Sequence, residues 1–184
     1  STEAILFFRY SIAVILLGAY LLLKKEDFKI NLKQAGVLLA LGLLYTASST
    51  FLFEAYKYIA SGLATTLIFL FPVMVAIIMV FLKVVPSWPV WLSIAATFAG
   101  VMIMTGGSGS EAINPIGVWF SIASAFVYAL FIVIINRSKA ISTISNSLLT
   151  FYALLVGTVV FFTRRIFSGA ELMTGLETGG AWLN

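Results

Sequence analysis

The chain has 184 residues, of which 61% are hydrophobic and 10% charged, with a mean hydropathy of +1.10 and a formal net charge of +4. Globular domains carry about 25% charged residues, so a chain this apolar and this short cannot shelter its own surface, and a soluble fold is excluded. It contains no cysteine and no histidine, which removes disulfides, thiolate chemistry, haem ligation by histidine and histidine acid–base catalysis. No catalytic residue, metal site or cofactor is expected.

Uncharged tracts run Tyr10–Leu23, Gln34–Phe53, Tyr58–Leu82, Val84–Ser110, Ala112–Asn136 and Ala140–Thr163. A helix needs roughly 20 apolar residues to cross a ~30 Å hydrocarbon core. The tracts are continuously apolar rather than alternating, and a helix satisfies its own backbone in lipid. The pattern therefore predicts an all-α, polytopic transmembrane bundle with six spans.

The first span lies near Ile5–Leu23. It follows Glu3 instead of a basic segment and ends in Lys24-Lys25 without a small-residue cleavage site, so it is not read as a signal peptide. Arg9 enters from the end opposite those lysines. The second span, Ala35–Lys57, is the most polar. At 100° per residue Tyr45, Thr46, Ser49, Thr50, Glu54, Tyr56 and Lys57 share about half its circumference, with Leu44, Phe51, Leu52 and Ala55 opposite. One wet face suits a substrate pathway, and hydroxyls that bond helix to helix are the plainer reading. Glu54 is costly inside a span and calls for a partner or for water. Lys57, three residues on, and Arg9 are the candidate partners, so a structural charge pair stands beside a substrate or proton site.

The third span, Gly62–Leu82, starts after the Ser61-Gly62 signal and carries Pro72 in mid-helix. Proline lacks an amide donor, which frees the carbonyl of Ile68. The freed group must face protein or water, and Thr65 and Thr66 lie within two turns of it. Either a packing kink or a hinge is consistent with this. Pro86 to Pro89 precede the fourth span, Trp88–Thr105, where Ala96 and Gly100 suggest close packing. Gly106-Gly107-Ser108-Gly109 separates it from the fifth, which Asn114-Pro115 starts and which runs Pro115–Ile135. There Gly117, Ser121, Ser124, Ala125 and Tyr128 share a face, with Trp119 nearby. Small residues let helices approach, while Tyr128 near mid-span is placed to touch a solute. The sixth span is Ser147–Thr163. Trp88, Trp91 and Trp182 read as interface anchors.

With six crossings, Lys24, Lys25, Lys29, Lys33, Lys83, Arg137 and Lys139 fall on one side and Lys57, Arg164 and Arg165 on the other. The excess places the Lys24–Lys33 loop in the cytoplasm and residue 1 outside the cell membrane. The Arg164-Arg165 pair counts against this orientation. Basic residues at the ends of apolar tracts meet lipid headgroups, so nucleic acid is not an expected partner. A short echo links Tyr10-Ser11-Ile12-Ala13-Val14 before Lys24-Lys25 to Tyr152-Ala153-Leu154-Leu155-Val156 before Arg164-Arg165, in spans of opposite direction, as in inverted repeats.

The string Glu54-Ala55-Tyr56-Lys57-Tyr58-Ile59-Ala60-Ser61-Gly62-Leu63-Ala64-Thr65-Thr66, followed by Phe71-Pro72-Val73, Trp91 and Ala99-Gly100-Val101, resembles the EamA-type drug/metabolite transporter family. Arg9-Tyr10 fits the start of that family's second helix. The resemblance implies a ten-helix transporter of two inverted five-helix repeats. Residues 1–107 would be most of the first repeat, lacking its first helix, and 108–184 the start of the second, lacking its last three. Ser1 in place of Met agrees with a fragment. The family's acidic residue after the fourth helix is missing from Lys83-Val84-Val85-Pro86.

These readings converge on a secondary transporter that moves a small metabolite or drug-like solute by alternating access. Its expected pathway residues are Tyr45, Ser49, Glu54, Thr65, Pro72 and Tyr128, with Arg9, Glu54 and Lys57 as charge-pair candidates. Proton or ion coupling through Glu54 and homodimer formation stay open. No nucleotide-binding loop is present, so ATP hydrolysis is not expected. The alternative is a non-transporting membrane scaffold or subunit whose polar stripe binds other helices. A membrane enzyme ranks behind both.

Overall fold

The computed structural model describes residues 2–84, 88–107 and 114–167; the turn signals at Pro86, Ser108 and Gly109 and the anchor at Trp182 lie outside them. The described residues are helical with no β-strand. The helices are α1 (Thr2–Leu23), α2 (Leu32–Ala55), α3 (Ser61–Ile68), α4 (Phe71–Phe81), α5 (Trp88–Gly107), α6 (Pro115–Arg137) and α7 (Asn146–Phe167), with a 3-10 turn at Lys139–Ile141. Five segments among the described residues are long and apolar enough to cross a membrane: Ile5–Leu23, Leu32–Ala55, Ser61–Phe81, Pro115–Arg137 and Asn146–Arg164. The sixth expected span is helix α5, 20 residues long, with several side chains outside the described set.

Local chemistry sets the helix ends. Asn31 precedes α2, and its amide donates to Gln34 Oε1 at 2.8 Å, half of a capping box. Asn114 caps α6 by accepting from the Ile116 amide at 2.9 Å, and Pro115 occupies the first helical position, where its missing N–H costs nothing. Helices α1 and α4 end alike. Glu26 donates back to the Leu21 carbonyl at 3.1 Å and Val84 to that of Met79 at 2.9 Å. The intervening residues, Lys25 and Lys83, have φ of 54° and 59°. This left-handed ending is usually made by glycine.

The third span differs from a single kinked helix. Helix α3 stops at Ile68, Phe69 and Leu70 bond back to Thr66 and Leu67, and α4 begins at Phe71 with Pro72 in its first turn. A proline is tolerated there because first-turn amides have no intrahelical partner. The chain therefore restarts the helix instead of bending it.

Helix α2 is the centre of the bundle. It packs on α6 along one side and on α7 along the other; α1 lies against α7, while α3 and α4 lie against α6. Helix α5 lies lightly against α3 and α4. The contacts fix the directions. Ser48 meets Ser124 and Phe51 meets Phe120, so α2 and α6 are antiparallel. Tyr10 meets Phe161 and Phe7 meets Phe162, so α1 and α7 are antiparallel as well.

One end of the bundle is closed. Leu38, Leu41, Phe131, Ile141, Leu149 and Ala153 form a buried cluster there. Tyr152 Oη donates to the Phe28 carbonyl at 2.8 Å, and Gln34 Nε2 reaches Thr143 Oγ1 at 3.4 Å, tying the loop after α1 to α7 and the turn before α7 to α2. That end carries Lys24–Lys33 and Arg137–Lys139. The outer surface is greasy: Leu16, Leu23, Trp88 and Trp119 are all exposed. Trp88 and Trp91 are exposed at the start of α5.

Apolar residues gain nothing by leaving lipid for another helix, so close approach depends on small side chains. A Cβ on Gly42 would lie 2.5 Å from Val156 Cβ, and one on Gly117 would lie 2.7 Å from Ile59 Cγ2 and 2.9 Å from Tyr58 Cβ. Gly36, on the same helix as Gly42, has open space around it. Gly42→Ala is therefore expected to destabilise the detergent-solubilised protein by about 1–3 kcal/mol. Gly36→Ala should raise stability by about 0.5–1 kcal/mol through helix propensity. Fluorescence-detected melting of the two variants checks the contrast, and equal shifts would refute it.

Candidate functional site

Away from the closed end, the bundle contains a cavity of about 440 Å³. Helix α1 supplies Arg9, Tyr10 and Ala13; α2 supplies Tyr45, Ser48, Ser49, Leu52 and Phe53. The α3–α4 break supplies Ile68, Phe69 and Phe71, α6 supplies Tyr128 and α7 supplies Leu154. Small-molecule sites typically measure about 300–1,000 Å³, so this one suits a small solute. The interrupted helix brings Ile68 to the wall, the residue whose carbonyl Pro72 has no N–H to meet.

Where α2 crosses α6, two serines exchange bonds. Ser124 Oγ donates to the Ser48 carbonyl at 2.7 Å, and Ser48 Oγ donates to the Ser124 carbonyl at 3.1 Å. Both side chains are buried. Tyr45 lies one turn from Ser48 and Tyr128 one turn from Ser124, so the clasp sets the distance between these rings, 6.4 Å centre to centre. Phe71 stands edge-on to Tyr128 at 4.9 Å, and Phe131 lies under both tyrosines at 5.4 and 5.7 Å. On the other wall Tyr10 Oη and Ser49 Oγ are 2.6 Å apart, and the Tyr10 ring lies 5.8 Å from Tyr45. The result is an aromatic floor with hydroxyls above it and one cation, Arg9, at the exposed rim.

The structure brings four of the sequence-derived residues, Arg9, Tyr45, Ser49 and Tyr128, to this cavity. It leaves Glu54, Lys57, Thr65 and Pro72 out of the lining. Glu54 Oε1 accepts from Lys57 Nζ at 2.8 Å, so of its two candidate partners it takes the nearer in sequence, with the carboxylate side chain 31% exposed. Arg9 makes no ion pair with it. Thr65 Oγ1 donates to the Ser61 carbonyl at 2.6 Å and lies 3.1 Å from Tyr56 Oη. Pro72 borders a second, apolar cavity of about 320 Å³ with Val75, Ala76, Met79, Val84, Val90 and Ile132.

The rest of the polar face of α2 is self-satisfied: Thr46 and Thr50 return their hydroxyls to carbonyls four residues back, at 2.7 and 2.9 Å. Tyr10, Ser48, Phe69, Phe71 and Leu154 line the cavity without having been assigned to it from sequence. Aromatic and aliphatic residues look the same whether they face lipid or solute. Only the pairing of Ser48 with the small face of α6 offered a signal. No group of three or more metal-ligating side chains occurs among the described residues.

A family model described as the EamA-like transporter family matches residues 1–106. No curated protein and no solved structure matches the chain.

Hydroxyl bonds between membrane helices average about 0.6 kcal/mol, with a maximum near 1.7. Ser48→Ala and Ser124→Ala are each expected to lower unfolding stability by about 0.5–1.7 kcal/mol. Because the two hydroxyls also touch each other, at 3.1 Å, the double variant should lose less than the sum. A double-mutant cycle in detergent tests this, and strict additivity would show that the clasp is not a unit.

Proposed function

The chain belongs to the EamA-like transporter family, and from that premise we propose that it works as a secondary carrier, moving a small solute through the Tyr45–Tyr128 cavity by alternating access. It is a multi-pass membrane protein, and its family is one of membrane transporters. The observation that carries the mechanism is the asymmetry of the bundle. A solute-sized cavity occupies one part of it, and the Leu38–Leu41–Phe131–Leu149 cluster closes the other end. Alternating access requires one side sealed while the other is approachable. The return state would open the loop and turn now tied by Tyr152 and Gln34.

Residues 1–107 and 108–184 are assigned to the first and second inverted repeats of a ten-helix carrier. The α1–α7 interface supports this. Tyr10 of α1 sits against Gly157 of α7, and Phe151 of α7 sits against Gly18 of α1. A reciprocal aromatic-on-glycine contact between antiparallel helices is what a two-fold axis in the membrane plane produces. The basic end, Lys24–Lys33 with Arg137 and Lys139, is placed in the cytoplasm of a cell-membrane protein. Glu54 is assigned a structural role, because its carboxylate is engaged by Lys57 and lies off the lining.

Reconstituted protein is expected to drive counterflow of one component of a small-metabolite mixture, read by mass spectrometry. Tyr128→Ala should reduce that flux by about tenfold, the scale of losing a well-placed aromatic contact, while Glu54→Gln keeps it. Absence of any flux would return the polar stripe to helix joining and favour the scaffold. Proton-gradient dependence lost in Glu54→Gln would restore the coupling role. For topology, the absence of native cysteine allows single-thiol labelling. Ser61→Cys is expected to react with impermeant maleimide on intact cells, and Asp27→Cys only after permeabilisation; the reverse pattern inverts the orientation.

A further inference from the structure

We infer that the cavity takes its solute by an oxyanion, the solute being a small monoanion with a flat apolar body; this rests on the carrier reading above. Among the described residues Arg9 is the only charged one of the lining, and no carboxylate joins it there. Glu54, next in sequence to the lining residue Phe53, is engaged by Lys57 at 2.8 Å. Arg9 makes no hydrogen bond or ion pair with any described residue, and neither does the hydroxyl of Tyr45 or of Tyr128. Of the other lining hydroxyls, Ser48 is held by Ser124, and Tyr10 and Ser49 share one hydrogen bond, which leaves a single O–H between them.

The cavity thus presents a guanidinium and two phenol hydroxyls with bonds left to give, and no fixed anion to receive them. A guanidinium donates in a planar fork that matches an oxyanion, and phenols add donors to it. A cationic solute would meet Arg9 with like charge. A dianion would leave one charge without a cationic partner in the lining, and desolvating it even in part is costly. One charge is therefore matched and two are not. Below the donors the faces and edges of Tyr45, Phe71 and Tyr128 accept a flat apolar body. The Arg9 side of the cavity is the exposed rim, so the charged group enters last and stays nearest water while the ring passes inward.

A phospholipid headgroup would offer Arg9 the same oxyanion from the bilayer, and the test separates the two sources. Ala13 lies on the cavity wall one turn from Arg9, and the chain has no other thiol. Ala13→Cys in the intact purified protein is labelled with sulfonatoethyl and trimethylammonium-ethyl methanethiosulfonates, each rate being divided by that with free 2-mercaptoethanol. The anionic reagent is expected to be favoured about tenfold, the scale of a unit charge several ångströms away in a partly hydrated site. Arg9→Gln should abolish the preference and Arg9→Lys retain it, with melting curves confirming that both variants are folded. Benzoate should slow labelling in an Arg9-dependent way, and benzylamine should not.

No charge preference, a preference that survives Arg9→Gln, or equal protection by benzylamine overturns the anion assignment while leaving the cavity as a solute site. A thiol that reacts with neither reagent until the protein is denatured overturns the cavity reading and the anion assignment together. Protection by short-chain phosphatidic acid and not by benzoate assigns Arg9 to a headgroup and overturns the solute.

Discussion

The bundle depends on how closely α2 can approach α6. Lipid removes the usual reason for apolar helices to associate, because a leucine is as comfortable against an acyl chain as against another leucine. Contact must come from shape and from hydrogen bonds that lipid cannot supply. On α6 the small residues Ser121 and Ser124 give the shape, both fully buried, and Gly117 admits Tyr58 and Ile59 just past the end of α2. The Ser48–Ser124 exchange gives the bonds, each hydroxyl reaching the opposite backbone. Since the partners are main-chain carbonyls, the clasp fixes the two helix axes and not merely two side chains. The aromatic floor one turn away inherits that spacing.

This arrangement explains which parts of the molecule were legible in its sequence. Five of the six expected spans were, because a bilayer demands uninterrupted apolar runs of fixed length. The start of α6 was readable at Asn114-Pro115 for a local reason: cap and fixed φ belong to two adjacent residues. The break in the third span was half readable. Pro72 marks where a helix cannot continue unchanged, but bend and restart differ only in the conformation of Phe69 and Leu70, which no single residue dictates.

At the site, polarity on an apolar background picked out Arg9, Tyr45, Ser49 and Tyr128. The same criterion drew in Glu54 and Thr65, whose partners lie on their own or the next turn and satisfy them locally. Phe71 and Leu154 carried no mark, since facing a cavity and facing lipid ask the same of a hydrocarbon. Thr46 and Thr50 show the converse. A hydroxyl that bonds back along its own helix looks functional on a helical wheel and is silent in the structure.

The two left-handed lysines bear on how the molecule comes to sit in its membrane. At Lys25 and Lys83 the backbone adopts a conformation that glycine would take with less strain, on the order of 1 kcal/mol per residue. Both positions close helices at the basic end, where a cation resists being dragged across the bilayer during insertion. Each residue ends a helix in a torsion that favours glycine while carrying a charge that glycine lacks. The chain keeps the charge and accepts the awkward torsion.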